Sequence, residues 1–236
     1  RHPWAEALAG CQIYDDFFTD ETRRIAIASY YGMTSFLDDN IGQVIAKLEA
    51  VGLGEDTRVI YTSDHGDNLG ARGLWGKSNQ YEESAGVPMI IAGPDIPVGQ
   101  VRMTPVSHVD CYQSIFDSVG IEAPEDDRDG CSLFEIAAEA DDAERVVLSQ
   151  YHAVGAITGT FMLRQGNWKY VHYVGLPPEL FDLANDPEEM TDLGQDPPQA
   201  DRIAAFERAL RVPGRDAAAS PVAGRPCPSL ACAHKR

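Results

Sequence analysis

Residues 58–82 read RVIYTSDHGDNLGARGLWGKSNQYE. Val59-Ile60-Tyr61-Thr62 is a short apolar and β-branched run, which predicts a buried strand. Asp64 and His65 follow, then Gly66. An acid and an imidazole at the carboxyl end of a buried strand stand where an open α/β sheet gathers its ligands. Gly66, Gly70, Gly73 and Gly76 make the next stretch a loop rather than a helix. Lys77 lies near the end of that loop. Oxygen and nitrogen ligands with a cation close by suit a site for a metal and a divalent oxyanion.

Outward from this stretch, residues 19–50 carry a long helix signal. Thr19 or Asp20 can cap it, and Glu21 falls in its first turn. Met33, Leu37, Ile41, Val44, Ile45 and Leu48 recur at helical steps, so one stripe is expected to face a core, and Gly52 and Gly54 end the helix. Asp38, Asp39 and Asn40 resemble a ligand cluster but read as a solvated helix face. Ahead of it, His2-Pro3 opens in an extended conformation. Beyond the loop, residues 87–92 predict a second buried strand with Pro88 at its start. Residues 110–119 predict a helix with Tyr112, Ile115, Phe116 and Val119 on one side and Gly120 closing it.

Helix followed by strand is the order of an α/β layer fold. Residues 121–130 form an acidic loop, and a short helix is expected over 132–139. The pattern then turns strand-rich: 146–148, a hairpin of 161–164 and 168–173 around Gln165-Gly166-Asn167, and 180–183. A helix over 203–210 closes the ordered part. From residue 212 the chain is rich in Pro, Ala, Gly and Arg, and disorder is expected. The domains implied are 1–143, an α/β portion; 144–211, a small antiparallel α+β subdomain; and 212–236, a tail.

The 236 residues are 44% apolar, enough for a real core. Acidic residues outnumber basic ones 37 to 19, giving a formal charge of −18. That balance argues against nonspecific binding to nucleic acid or anionic membrane. It also requires a local metal or lysine to draw in an anionic substrate. No stretch has the apolar length of a membrane span. The five cysteines, Cys11, Cys111, Cys131, Cys227 and Cys232, form no CxxC and are scattered. They imply reduced thiols in a cytoplasm-like compartment, with Cys111 and Cys131 as small core residues. The chain begins with Arg rather than Met, so the absence of a visible leader implies little.

The run T-S-D-H-G-D-N-L-G-x-R-G-L-W-G-K over 62–77, then Y-E-x-S-A-x-V-P over 81–88, resembles the formylglycine-type sulfatases of the alkaline phosphatase superfamily. The resemblance is to their choline-sulfatase and phosphonate monoester hydrolase branch. Supporting segments are Tyr30-Tyr31-Gly32 with Leu37-Asp38-Asp39-Asn40-Ile41-Gly42, Ser107-His108-Val109-Asp110, Tyr151-His152-Ala153, and Leu180-Phe181-Asp182-Leu183 with Asp186-Pro187. The resemblance implies a partial alkaline-phosphatase-like α/β/α sandwich with a small carboxyl-terminal α+β subdomain. It implies that Asp64 and His65 are metal ligands, the ion being calcium or manganese, and that Lys77 holds a substrate oxygen. It implies that His2 helps a leaving group depart. The substrate implied is a small sulfate or phosphate ester.

The family nucleophile is a cysteine in C-x-P-x-R or C-x-A-x-R, converted to formylglycine. None of the five cysteines stands in that context. The family's paired amino-terminal aspartates have no counterpart either, since Asp15-Asp16 lacks a preceding buried strand. The chain is therefore expected to be a carboxyl-terminal fragment with little turnover alone. Association is expected too, as a homo-oligomer or with a separate amino-terminal half, because an apolar sheet edge and helix face would be left uncovered. Arg72 and Trp75 read as loop packing. His108 and His152 read equally as pocket or structural residues, and His172 as structural.

Overall fold

The computed structural model of the protein describes residues 1–124, 130–153 and 155–210. These fall into two units. The first comprises Arg1–Ile96 with Ala153–Ile157, and the second Pro97–His152 with the chain from Thr158. The division comes at Ile96/Pro97, so the helices that follow group with the carboxyl-terminal sheet.

The first unit opens with α1 (Pro3–Cys11). His2 is extended, as its place before proline dictates. Pro3 then takes the first helical position, where no N–H is needed and its fixed φ is already helical. Trp4, Ala5 and Leu8 are buried. This helix was not expected from the sequence, because a proline near the start was read only for the residue before it.

A 3-10 turn over Ile13–Phe17 leads to α2 (Asp20–Ala50), capped by a reciprocal Thr19–Thr22 box. Gly52, with φ +78°, ends it in the left-handed region. The stripe expected to face a core does not do so among the described residues. No α2 residue is buried; Met33, Leu37 and Val44 are exposed, while Ile41, Ile45 and Leu48 are half-buried. Periodicity marks a face that suits an apolar neighbour, not that neighbour's presence. Of the three residues read as a solvated face, Asp38 and Asp39 are exposed, while Asn40 is half-buried and donates its Nδ2 to the Phe36 carbonyl at 2.6 Å.

β1 (Val59–Thr62) pairs antiparallel with β2 (Met89–Ala92), Val59 opposite Ala92 and Thr62 opposite Met89. Neither strand is fully buried: β1 is half-buried throughout, and β2 alternates with Ile90 exposed. Within the described sheet each strand has only one paired edge. Between them lie the glycine-rich loop and a single helical turn, α3 (Glu82–Ala85).

In the second unit, α4 (Val109–Ser118) and α5 (Leu133–Ala138) precede a four-stranded antiparallel sheet. Its strands are β3 (Val146–Tyr151), β4 (Thr160–Gln165), β5 (Trp168–Tyr173) and β6 (Glu179–Asp182), neighbours in chain order. The β4–β5 hairpin closes at Gln165 opposite Trp168, with Gly166 supplying φ +51°. α6 (Ala200–Leu210) packs on this sheet. Phe161, Leu163, Tyr170, Leu180, Phe206 and Leu210 form the core, with the Tyr170 and Phe206 rings stacked at 5.4 Å.

α4 buries a different side from the one expected. Asp110 and Ser114 are buried, while Ile115 and Val119 are exposed. Asp110 decides this. Its carboxylate accepts from Arg145 at 2.6 Å, from the Ser107 N–H at 2.8 Å and from the Cys131 N–H at 2.9 Å. An acid so well supplied with donors can be buried. Cys131 is buried as expected, whereas Cys111 is half-buried and Cys11 exposed. Residues 125–129 of the acidic loop, the tail expected from residue 212, and Cys227 and Cys232 lie outside the described residues.

Candidate functional site

The loop after β1 is held by its own polar side chains. Gly66 donates its N–H to the Ser84 carbonyl at 2.9 Å, and a Cβ there would lie 2.1 Å from the Glu83 carbonyl oxygen. Only glycine fits. Asn68, 2% exposed, donates from both its backbone N–H and its Nδ2 to the Gly76 carbonyl, each at 2.7 Å. Asp67 Oδ1 accepts from the N–H groups of Leu69 and Gly76 at 2.8 and 3.2 Å. Asn79 Nδ2 donates to Asn68 Oδ1 at 3.2 Å.

Leu69, Arg72 and Ser78, all in this stretch, are three of the five non-glycine residues with positive φ among the described residues. Such a backbone persists only where its surroundings over-determine it. The clamp on Gly76 brings the chain back, so the next residue, Lys77, returns to His65.

The side chains of Asp64, His65 and Lys77 meet at the tip of β1. Lys77 Nζ lies 2.6 Å from His65 Nε2, and Asp64 Oδ2 lies 3.2 Å from the same nitrogen. His65 Nδ1 is 2.9 Å from the Gly66 carbonyl oxygen. Asp64 Oδ1 accepts from the His65 N–H at 3.0 Å. Asp64 and Lys77 are exposed and His65 is half-buried. Desolvation pulls the Asp64 carboxyl upward. The His65 charge, backbone N–H bonds and Lys77 outweigh it, so the group sits below the usual carboxylate value.

His2 is committed locally: its Nδ1 accepts the Trp4 N–H at 3.2 Å and caps α1. Arg72 and Trp75 pack the loop as expected. Arg72 donates to both Glu83 oxygens at 2.7 and 2.8 Å and lies over the Tyr81 ring. Trp75 stacks on Phe18 at 4.1 Å and donates its indole N–H to Asp15 at 2.8 Å. His108, His152 and His172 belong to the second unit, where His152 meets Phe161 edge-on.

The clamp of Asp67, Asn68 and Asn79 was not singled out from the sequence. Its signal was the Asx side chains set among the loop's glycines, since Asn and Asp bond nearby backbone in turns.

A carboxylate and an imidazole nitrogen 3.2 Å apart are donors of the kind a divalent ion takes. They fit as part of a ligand set. Among the described residues, no group of three or more His, Cys, Asp or Glu side chains is arranged to hold an ion.

Two family models match the chain: the sulfatase model over residues 3–121, and the carboxyl-terminal domain of N-sulphoglucosamine sulphohydrolase over residues 70–213. The chain belongs to the sulfatase family. It is 36% identical to choline-sulfatase of Rhizobium meliloti (strain 1021) over 192 residues, covering 80% of this chain and 37% of that protein. It is 34% identical to mouse arylsulfatase K over 193 residues, covering 77% of this chain and 35% of that protein.

The phosphonate monoester hydrolase of Silicibacter pomeroyi has a similar structure, with TM-score 0.72 and 31% identity over 81% of this chain and 41% of that one. That of Agrobacterium radiobacter gives 0.70 and 28%, over 82% and 42%. The fold is thus the alkaline-phosphatase-like fold of the sulfatases, and the chain spans little more than a third of the curated relatives' length. No described helix is long and apolar enough to cross a membrane.

Proposed function

We propose that this chain carries the carboxyl-terminal part of a metal-dependent sulfuric ester hydrolase, acting on a small sulfate ester. The observation that supports the reading most is the meeting of Asp64, His65 and Lys77 within 2.6–3.2 Å at one strand tip. Asp64 and His65 would hold a calcium or manganese ion. When bound, that ion would bind the ester's oxyanion and polarise it for attack. Lys77 would hold a substrate oxygen and balance charge that grows there as the ester bond breaks. His2, if freed from its cap, would serve the leaving group. The remaining ligands and the formylglycine nucleophile would come from sequence outside these 236 residues. A phosphonate monoester or phosphodiester substrate is the second reading, favoured by the likeness to the two phosphonate monoester hydrolases.

The test is an assay of the chain with an arylsulfate and an aryl phosphodiester in manganese or calcium. Little turnover is expected from the chain alone, and rapid turnover would overturn the division of the site. Calorimetric titration with manganese checks the ligand assignment. Weak binding by the native chain that Asp64→Ala and His65→Ala each abolish supports it, and binding that both variants retain counts against it.

A further inference from the structure

The site loop is anchored from outside as well as from within. Asn68 and Asp67 fix Gly76, which is one point on the chain. A single fixed point leaves the loop free to turn about it. Trp75, the residue before, supplies a second point. It is 8% exposed and donates its indole N–H to Asp15 Oδ1 at 2.8 Å, across 60 positions of sequence. The acceptor is a carboxylate, which strengthens the bond. Asp15 is itself held by Arg23 at 3.0 Å, and Arg23 also reaches Asp20, at the start of α2, at 3.2 Å. The Phe18 ring lies nearly flat on the indole, the two planes 14° apart. Gly70 lets the loop close on that indole, since a Cβ there would stand 3.1 Å from Trp75 Cζ2. The backbone around Trp75 has positive φ at Gly73, Gly76 and Ser78, +68°, +70° and +85°. At Ser78 such a path is strained and needs outside contacts to persist.

We propose that Asp15 and Trp75 are positioning residues of the site: their bond fixes the direction in which the chain leaves Gly76, and so holds Lys77 beside His65. This rests on the reading of Asp64, His65 and Lys77 as the site. The role is indirect, since Trp75 stands two residues before Lys77 and Asp15 acts through Trp75. The segment before α2, distant from His65 in sequence, thereby takes part in the geometry of the strand tip. A cation that is to meet charge growing on a substrate has to be held to within a fraction of its own reach, and a loop pinned twice does this where a loop pinned once does not.

NMR of the full chain, metal-free and then with manganese alone, tests this. In the parent, the Lys77 εCH2 and His65 ring protons should show a strong cross-relaxation signal. Asp15→Ala and Trp75→Phe should each reduce it several-fold, while the Gly76 amide keeps the protection of its bond to Asp67. Trp75→Phe leaves a ring on Phe18 and removes the indole donor. Asp15→Asn keeps an oxygen acceptor and should retain the signal. A signal absent from the parent, undiminished in Asp15→Ala and Trp75→Phe, or as weak in Asp15→Asn as in Asp15→Ala overturns the proposal. Loss of Gly76 protection in the weakened variants overturns it too, because the loop itself has then come apart. Manganese held by Asp64 and His65 should broaden the Lys77 methylene resonances in the parent and several-fold less in Asp15→Ala. Equal broadening in the two overturns the positioning role. Manganese that leaves His65 unbroadened in the parent removes the ligand reading instead, and the metal-free signals still decide whether Asp15 and Trp75 place Lys77.

Discussion

Asp15 is an acid held by directed donors. The Trp75 indole N–H lowers its carboxyl most and Arg23 lowers it further, while partial desolvation opposes them. The folded value therefore lies below the 3.8 of the free group, and the folded chain binds fewer protons there than the unfolded one. The resulting stabilisation is complete above 3.8 and is lost as pH falls through the folded value. Acid titration followed by Trp75 fluorescence should show this loss below that pH, and Asp15→Asn should remove that limb of the curve. An unchanged acid limb in the variant would refute the assignment. Cysteine reactivity follows the same physics. Burial pushes the Cys111 thiol up, and the neighbouring Asp110 charge adds to it. Alkylation near neutral pH should modify exposed Cys11 first and Cys111 well behind it, read by peptide mass spectrometry. Equal rates would contradict that ordering.

The glycine-rich loop is the element on which the site depends, and its clamp can be cut at one atom group. Asn68→Ala removes the Nδ2 donor to Gly76 and strands the Asn79 amide in a buried place. An unsatisfied buried polar group costs about 1–3 kcal/mol, so the urea midpoint of the first unit should fall accordingly. A variant as stable as the parent would mean that water replaces the clamp. This element also marks where the sequence was legible. Asp64, His65 and Lys77 could be found because a strand end and a glycine run are local signals. The β4–β5 hairpin was legible for the same reason, since turn residues at 165–167 separate two strand-like runs. The clamp was not, because a polar residue in a loop looks the same wet or buried. That α2 buries no residue, and which face of α4 is covered, were not legible either: coverage is decided by what packs against a helix. For α4 a buried aspartate outranks the apolar side, which no periodicity reports.

At the scale of the molecule, order is distributed unevenly. The second unit has an aromatic and aliphatic core and, apart from that cluster, a fully buried ion pair, Lys169 Nζ to Glu189 Oε1 at 2.7 Å. Removing one partner leaves a buried charge, so Lys169→Met should cost about 3–5 kcal/mol by thermal unfolding. Lys169→Met with Glu189→Leu should recover most of that, because an apolar pair of similar volume is close to neutral. Failure of the double variant to recover would mean that other bonds of these residues dominate. In the first unit, which buries Trp4, Leu8 and Leu74, the long helix is the opposite case. α2 runs for 31 residues, about 46 Å at about 1.5 Å per residue, without burying one of them. A helix without tertiary cover opens locally at little free-energy cost, whereas strands crossed by a core open only with their unit. Hydrogen exchange on dilute protein should therefore find the β4 and β5 amides slowest and the middle of α2 faster by orders of magnitude. Protection of α2 that matches β5 and rises with protein concentration would mean that a second copy covers its apolar stripe, and the gradient argued here would be wrong.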